Sequence, residues 1–129
     1  MSSKILVPEN VFLHKTAGPY SPILQVCPGQ IVVISGQAAI DMNGDIIGDT
    51  IDEQAKLTIE NCRDQLKQAG CTLNEVFKVN VFLSDISLWD RFNKIYSQFF
   101  NQPYPVRTAV GAQLLPGIIV EIEMWAIKK

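Results

Sequence analysis

The sequence has a single histidine, three cysteines and no run of lysine or arginine. With His14 alone, multi-histidine metal centres are removed, and a hydrolytic dyad has one candidate base unless a neighbouring chain supplies its own. Cys27, Cys62 and Cys71 are odd in number and lack CxxC spacing, so neither a disulfide framework nor a zinc knuckle is indicated and a reducing, cytoplasmic location is expected. Eleven basic against thirteen acidic side chains give a net charge of -2, which disfavours tight, sequence-independent nucleic-acid binding. No stretch approaches the roughly 20 apolar residues that cross a bilayer, and the first ten residues have neither the apolar core of a signal peptide nor the arginines of a transit peptide. What is present is a chain of 129 residues, 47% hydrophobic and 19% charged. That composition supports one folded domain over residues 1–129, without linker, repeat or low-complexity tract.

Hydrophobic patterning divides the chain into strands and helices. Residues 31–37, Ile-Val-Val-Ile-Ser-Gly-Gln, form a β-branched run that reads as a central strand buried on both faces. Residues 23–27 are its expected hairpin partner through Pro28-Gly29-Gln30, and Asn43-Gly44 marks a further turn. From Thr50 the period changes: Ile51, Ala55, Ile59, Cys62, Leu66 and Ala69 recur at helical steps, with Thr50 and Glu53 as a capping box and Gly70 as the terminator. Phe77, Val79, Val81 and Leu83 alternate as one face of a strand. Leu88, Phe92, Ile95, Tyr96 and Phe99 indicate a second helix capped by Ser87 and ended before Pro103. Residues 106–110 and 118–127 read as two final strands. Two helices cannot cover both faces of about six strands. An α+β fold is therefore expected, a single mixed sheet with both helices on one face and the other face hidden by oligomerisation.

Candidate chemistry falls in the loops and the last strands. Glu121, Glu123 and Trp125 share one face of the final strand, either as solvated outer-face residues or with a carboxylate facing a cleft. Arg107 is a lone cation in an apolar strand, able to grip a carboxylate bidentately or to pair with Glu121 or Glu123 across the ladder. Gly18-Pro19-Tyr20-Ser21 is a turn suited to lining a small pocket, Ser35-Gly36 permits close approach of a ligand or of another backbone, and Asn93 faces either the cleft or water. Asp41, Asn43 and Asp45 have the wrong spacing for a calcium loop.

Six motifs in order, Ala17-Gly18-Pro19-Tyr20-Ser21, Ile34-Ser35-Gly36-Gln37, residues 79–85, Phe92-Asn93-Lys94-Ile95-Tyr96, Tyr104-Pro105-Val106-Arg107 and Val120-Glu121-Ile122-Glu123, resemble the Rid (YjgF) family across nearly the whole chain. The resemblance implies a chorismate-mutase-like fold, a homotrimer with clefts between subunits, and hydrolysis of 2-imino acids to 2-keto acids and ammonia with neither metal nor other cofactor. It assigns Arg107 to the substrate carboxylate and Glu121 to the attacking water, with Tyr20, Ser35 and Asn93 completing the pocket. Where deaminating members commonly carry Arg-Ser-Cys, this chain has Arg107-Thr108-Ala109, which puts Ala109 at the thiol position of the substrate pocket. The loop around Leu115-Pro116-Gly117 is also about one residue shorter than usual. Two other functions stand beside this one, the first motivated by Ala109 and the shortened loop, the second by the resemblance itself. One is a non-catalytic module that captures small carboxylates at Arg107; the other, endoribonuclease activity or translation inhibition, is disfavoured by the negative net charge.

Overall fold

The computed structural model describes residues 4–11 and 18–129. His14 and Ala17 lie outside the described residues. Six strands and two helices follow in the order β1 (Ile5–Leu6), β2 (Gln25–Val26), β3 (Ile31–Gln37), α1 (Ile51–Gln68), β4 (Val76–Leu83), α2 (Trp89–Tyr96), β5 (Val106–Gly111) and β6 (Val120–Ile127).

The strands form two sheets, not the single one expected. β3, β6, β4 and β5 lie side by side in that order, with β4 and β5 parallel and the other pairs antiparallel. β1 and β2 form a separate antiparallel ribbon. β2 therefore pairs with β1 rather than forming a hairpin with β3, because residues 25–26 take their ladder from the N-terminal segment, where Ile5 faces Val26. β3 is an edge strand rather than a central one, and Ile31 and Val33 on its outer face are more than half exposed. A continuous β-branched run marks burial on both faces only if something covers the second face, and a single copy of the chain leaves it open.

α1 forms where its apolar stripe predicts: Ile51, Ala55, Ile59, Cys62 and Leu66 are all buried. The Thr50 hydroxyl accepts the Glu53 N–H at 3.2 Å and donates to the Glu53 carboxylate at 3.1 Å, and Gly70 ends the helix at φ +80°. Burying an Ile or Leu of this stripe contributes about 2 kcal/mol each. α2 starts one residue after a 3-10 turn over Ile86–Leu88, and the carboxylate that caps that turn is Asp85, which accepts the Ser87 N–H at 2.9 Å. Ser87 is thus capped rather than capping. A register shift between Val76 and Lys78 places Val76 in the core and leaves Phe77 half-buried, while Val79, Val81 and Leu83 are fully buried as expected. An extra residue in one strand flips the faces on either side of it, which alternation alone does not reveal.

Both helices pack on the face formed by Ile34, Val79, Val81, Leu83, Val120, Ile122, Met124 and Ala126. The opposite face carries Val33, Lys78, Asn80, Phe82, Val110, Glu121, Glu123 and Trp125 and is uncovered in the single chain.

Candidate active site

Arg107 projects from β5 onto the helix-covered face, since it pairs with the fully buried Val79. Four aromatic rings surround its guanidinium: Tyr96 at 4.8 Å from the ring centre, Tyr20 at 5.7 Å, and Trp89 and Phe92 at 5.8 Å. Three of these rings come from α2. The Tyr20 ring comes from the turn at residues 18–21, which is tied to β5 where the Ser21 N–H donates to the Pro105 carbonyl at 3.1 Å and the Ser21 hydroxyl to that of Tyr104. Gly18 packs closely under the cage: a Cβ there would sit 3.1 Å from the Trp89 ring and 3.2 Å from Arg107 Nη2, so those side chains would have to give by a few tenths of an ångström.

The cage holds a charge without neutralising it. Among the described residues no carboxylate pairs with Arg107, and its Nη1 is buried without a hydrogen-bond partner. The expected ladder pairing to Glu121 or Glu123 is absent; Glu123 instead accepts the Asn80 amide at 3.1 Å. Burial draws Arg107 below the usual guanidinium value, with Tyr96 and Tyr20 acting in the opposite direction. A guanidinium in such surroundings stays charged near neutral pH, and an unpaired buried donor is destabilising unless a ligand takes it. Two more buried polar atoms on the same stripe of α2 also lack partners, Asn93 Oδ1 and the Tyr96 hydroxyl. Asn93 therefore turns inward. A cleft of about 290 Å³ opens along the β4–β5 ladder at Arg107, with Tyr20, Ser21, Lys78, Asn80 and Thr108 among its lining residues, large enough for a small carboxylic acid. Ala109, two residues along β5 and on the Arg107 face, packs against the core.

Glu121 and Ser35 lie elsewhere. Glu121 pairs with Phe82 on the uncovered face, and its carboxylate lies over Gly36, beside Ser35 in an irregular stretch of β3. The predicted residues thus divide into two groups: Tyr20, Asn93, Arg107 and Ala109 at one edge, Ser35 and Glu121 on the other face. Among the described residues no cluster of three or more His, Cys, Asp or Glu is gathered as a metal site, and no helix is long and apolar enough to cross a membrane.

The family profile described as Endoribonuclease L-PSP matches residues 13–128. A RutC family protein of Pyrococcus abyssi is 38% identical over the full length of both chains. The chain belongs to the Rid (YjgF) family. A human Rid relative named 2-iminobutanoate/2-iminopropanoate deaminase is 37% identical, over 86% of this chain and 81% of that protein. The crystal structure of the Rid protein YyfA from Yersinia pestis superposes with a TM-score of 0.72 at 33% identity, covering 87% of this chain and 90% of that one. In this Rid chain the aromatic cage is what sequence reading left out: Phe92 and Tyr96 read as core from their helical spacing, and Trp89 carried no signal of its own. The clue was three aromatic rings within eight residues of a short helix, all on the face that meets a lone arginine.

Proposed function

We propose that the chain hydrolyses 2-imino acids to 2-keto acids and ammonia, at clefts between the copies of a homotrimer. The observation that carries this reading is the buried Arg107 Nη1, held by aromatic rings and given no partner by its own chain. In the reaction, the planar fork of Arg107 takes the substrate carboxylate through two charge-assisted bonds, and Tyr20 and Asn93 close over the remainder. A protonated imine carbon is already electrophilic, so the protein needs mainly to hold it and deliver water. Glu121 orients that water and accepts its proton as the C–O bond forms. The same carboxyl then passes that proton to nitrogen and takes the remaining hydroxyl proton as the C–N bond breaks and the carbonyl forms; this proton goes to the departing ammonia, so that keto acid and ammonium leave and Glu121 is again a carboxylate. Ala109 leaves the thiol position empty, so no side-chain nucleophile takes part beside Arg107.

Glu121 faces away from Arg107 within one copy, so the Glu121 that serves a given Arg107 comes from a neighbouring subunit. The open sheet face with half-exposed Ile31 and Val33 is the surface such an assembly covers. The test is the rate at which 2-iminobutanoate, generated by an amino-acid oxidase, is lost before semicarbazide traps it. Suppression of the semicarbazone by wild type and by neither Arg107→Ala nor Glu121→Ala supports the reading, and wild-type suppression by both variants overturns it.

One observation favours a second reading, capture of small carboxylates without turnover: Ala109, two residues beyond Arg107 on β5, stands where deaminating members commonly carry a thiol. Calorimetric binding of 2-ketobutyrate by a protein that leaves the imine untouched selects it.

A further inference from the structure

Gly36 interrupts the most apolar strand of the chain, where glycine weakens pairing by about 1 kcal/mol relative to alanine. Its backbone does not require glycine. The glycines with positive φ are Gly44, Gly48, Gly70 and Gly117, and Gly36 is not one of them. The space beside it, in contrast, is taken by one side chain, that of Glu121. A Cβ at Gly36 would stand 2.5 Å from Glu121 Oε2, 3.0 Å from its Cδ and 3.2 Å from its Cγ, and these are the three nearest atoms. The position is otherwise exposed, in the stretch where the register between β3 and β6 shifts between Ile34 and Gln37. The extra residue in β3 brings a backbone without a side chain beneath the carboxylate, and Glu121 lies across it.

We propose that Gly36 is a positioning residue for Glu121: the missing side chain leaves the floor on which the carboxylate rests at the height and direction needed to meet a substrate bound to a neighbouring copy. The proposal rests on the reading of Glu121 as the group that handles water in imine hydrolysis. A methyl group at this position lifts or swings the carboxylate while leaving Arg107 and its cage untouched.

The experiment is a double-variant cycle of Gly36→Ala and Glu121→Ala, read by steady-state imine hydrolysis and by thermal unfolding of the intact oligomer. A misplacement near 1 Å costs up to about a hundredfold, so Gly36→Ala is expected to lower kcat by about tenfold or more with KM within about twofold. In the Glu121→Ala background, adding Gly36→Ala is expected to change kcat no further. The change in Tm caused by Gly36→Ala is expected to be more favourable once Glu121 is gone, because the collision has been removed. Wild-type kcat in Gly36→Ala, or equal effects on kcat in both backgrounds, overturns the proposal. If wild type hydrolyses no imine, the deaminase reading fails by itself and the Tm cycle still decides: equal Tm changes in the two backgrounds overturn the contact, and unequal ones uphold it.

Discussion

Arg107 and Glu121 project from opposite faces of the same sheet. The register shows it directly: Arg107 pairs with Val79, whose side chain is fully buried under the helices, whereas Glu121 pairs with Phe82, three residues further along β4 and on the open face. β4 runs between their strands, which adds two strand spacings, about 10 Å, to a similar distance along the sheet. Under the proposed reading, in which both groups act on one substrate, they come from two copies of the chain.

Arg107→Ala is expected to reduce imine hydrolysis at least about a hundredfold, since it removes both charge and fork, and Arg107→Lys is expected to recover little because a point charge does not offer the two parallel donors. Semicarbazide-trap kinetics with gel filtration check this. An active lysine variant would show that charge alone suffices.

Mixing Arg107→Ala with Glu121→Ala protein under conditions of subunit exchange is expected to restore activity that neither has alone. With equal amounts and random assembly, about one cleft in four receives both groups, so recovery near a quarter of the wild-type rate is expected. No recovery, with exchange verified by mass labelling, means that both groups of a site come from one copy.

Gln54 is 1% exposed and saturates its amide: Nε2 donates to the Gly48 carbonyl at 3.0 Å and the Gly117 carbonyl at 2.8 Å, and Oε1 accepts the Ile119 N–H at 2.8 Å. Gln54→Leu leaves those three backbone groups without that partner and is expected to destabilise by about 2–4 kcal/mol, read as a lowered urea midpoint. A midpoint equal to wild type would mean that the turn before β6 finds other partners.

Cys62 is fully buried, and desolvation pushes its thiol up to about 12, opposed by a backbone hydrogen bond. Burial also raises Cys71, helped by Glu75 and opposed by Lys128. Cys27 is half-buried, so one thiol per native chain is expected to react rapidly with a disulfide reagent at pH 8, and Cys27→Ser is expected to abolish that reaction. The same shift sets a pH dependence. Above an ordinary thiol value of 9.0 the unfolded chain releases the Cys62 proton while the native chain retains it up to about 12, so this residue's contribution to stability is intact below pH 9 and declines across that interval. Cys62→Ala is expected to flatten the alkaline fall of Tm, and an unchanged profile would assign that fall to other groups.

Where a local rule and the tertiary environment agreed, the elements were legible. Thr50, the stripe from Ile51 to Leu66 and Gly70 bracket α1, because cap, period and left-handed residue act within one helix. The alternation of Val120, Ile122, Met124 and Ala126 against Glu121, Glu123 and Trp125 likewise holds along β6. Errors arose where a distant partner decided. β3 looks central because its residues are β-branched throughout, but pairing and cover are properties of neighbouring segments. Phe77 looks like a core residue until the register shift moves that place to Val76.

The candidate residues show the same division. By sequence alone, residue type and order place Arg107, Glu121, Tyr20, Ser35, Asn93 and Ala109 in one family pattern, because the motifs that carry them are short and contiguous. Only the tertiary structure placed Arg107 within the rings of Tyr20, Trp89, Phe92 and Tyr96, and only it laid Glu121 over Gly36 on the other face. The reason is physical: the side of a sheet on which a residue emerges is set by strand pairing and by each extra residue in a ladder, and those are contacts between segments far apart in the chain.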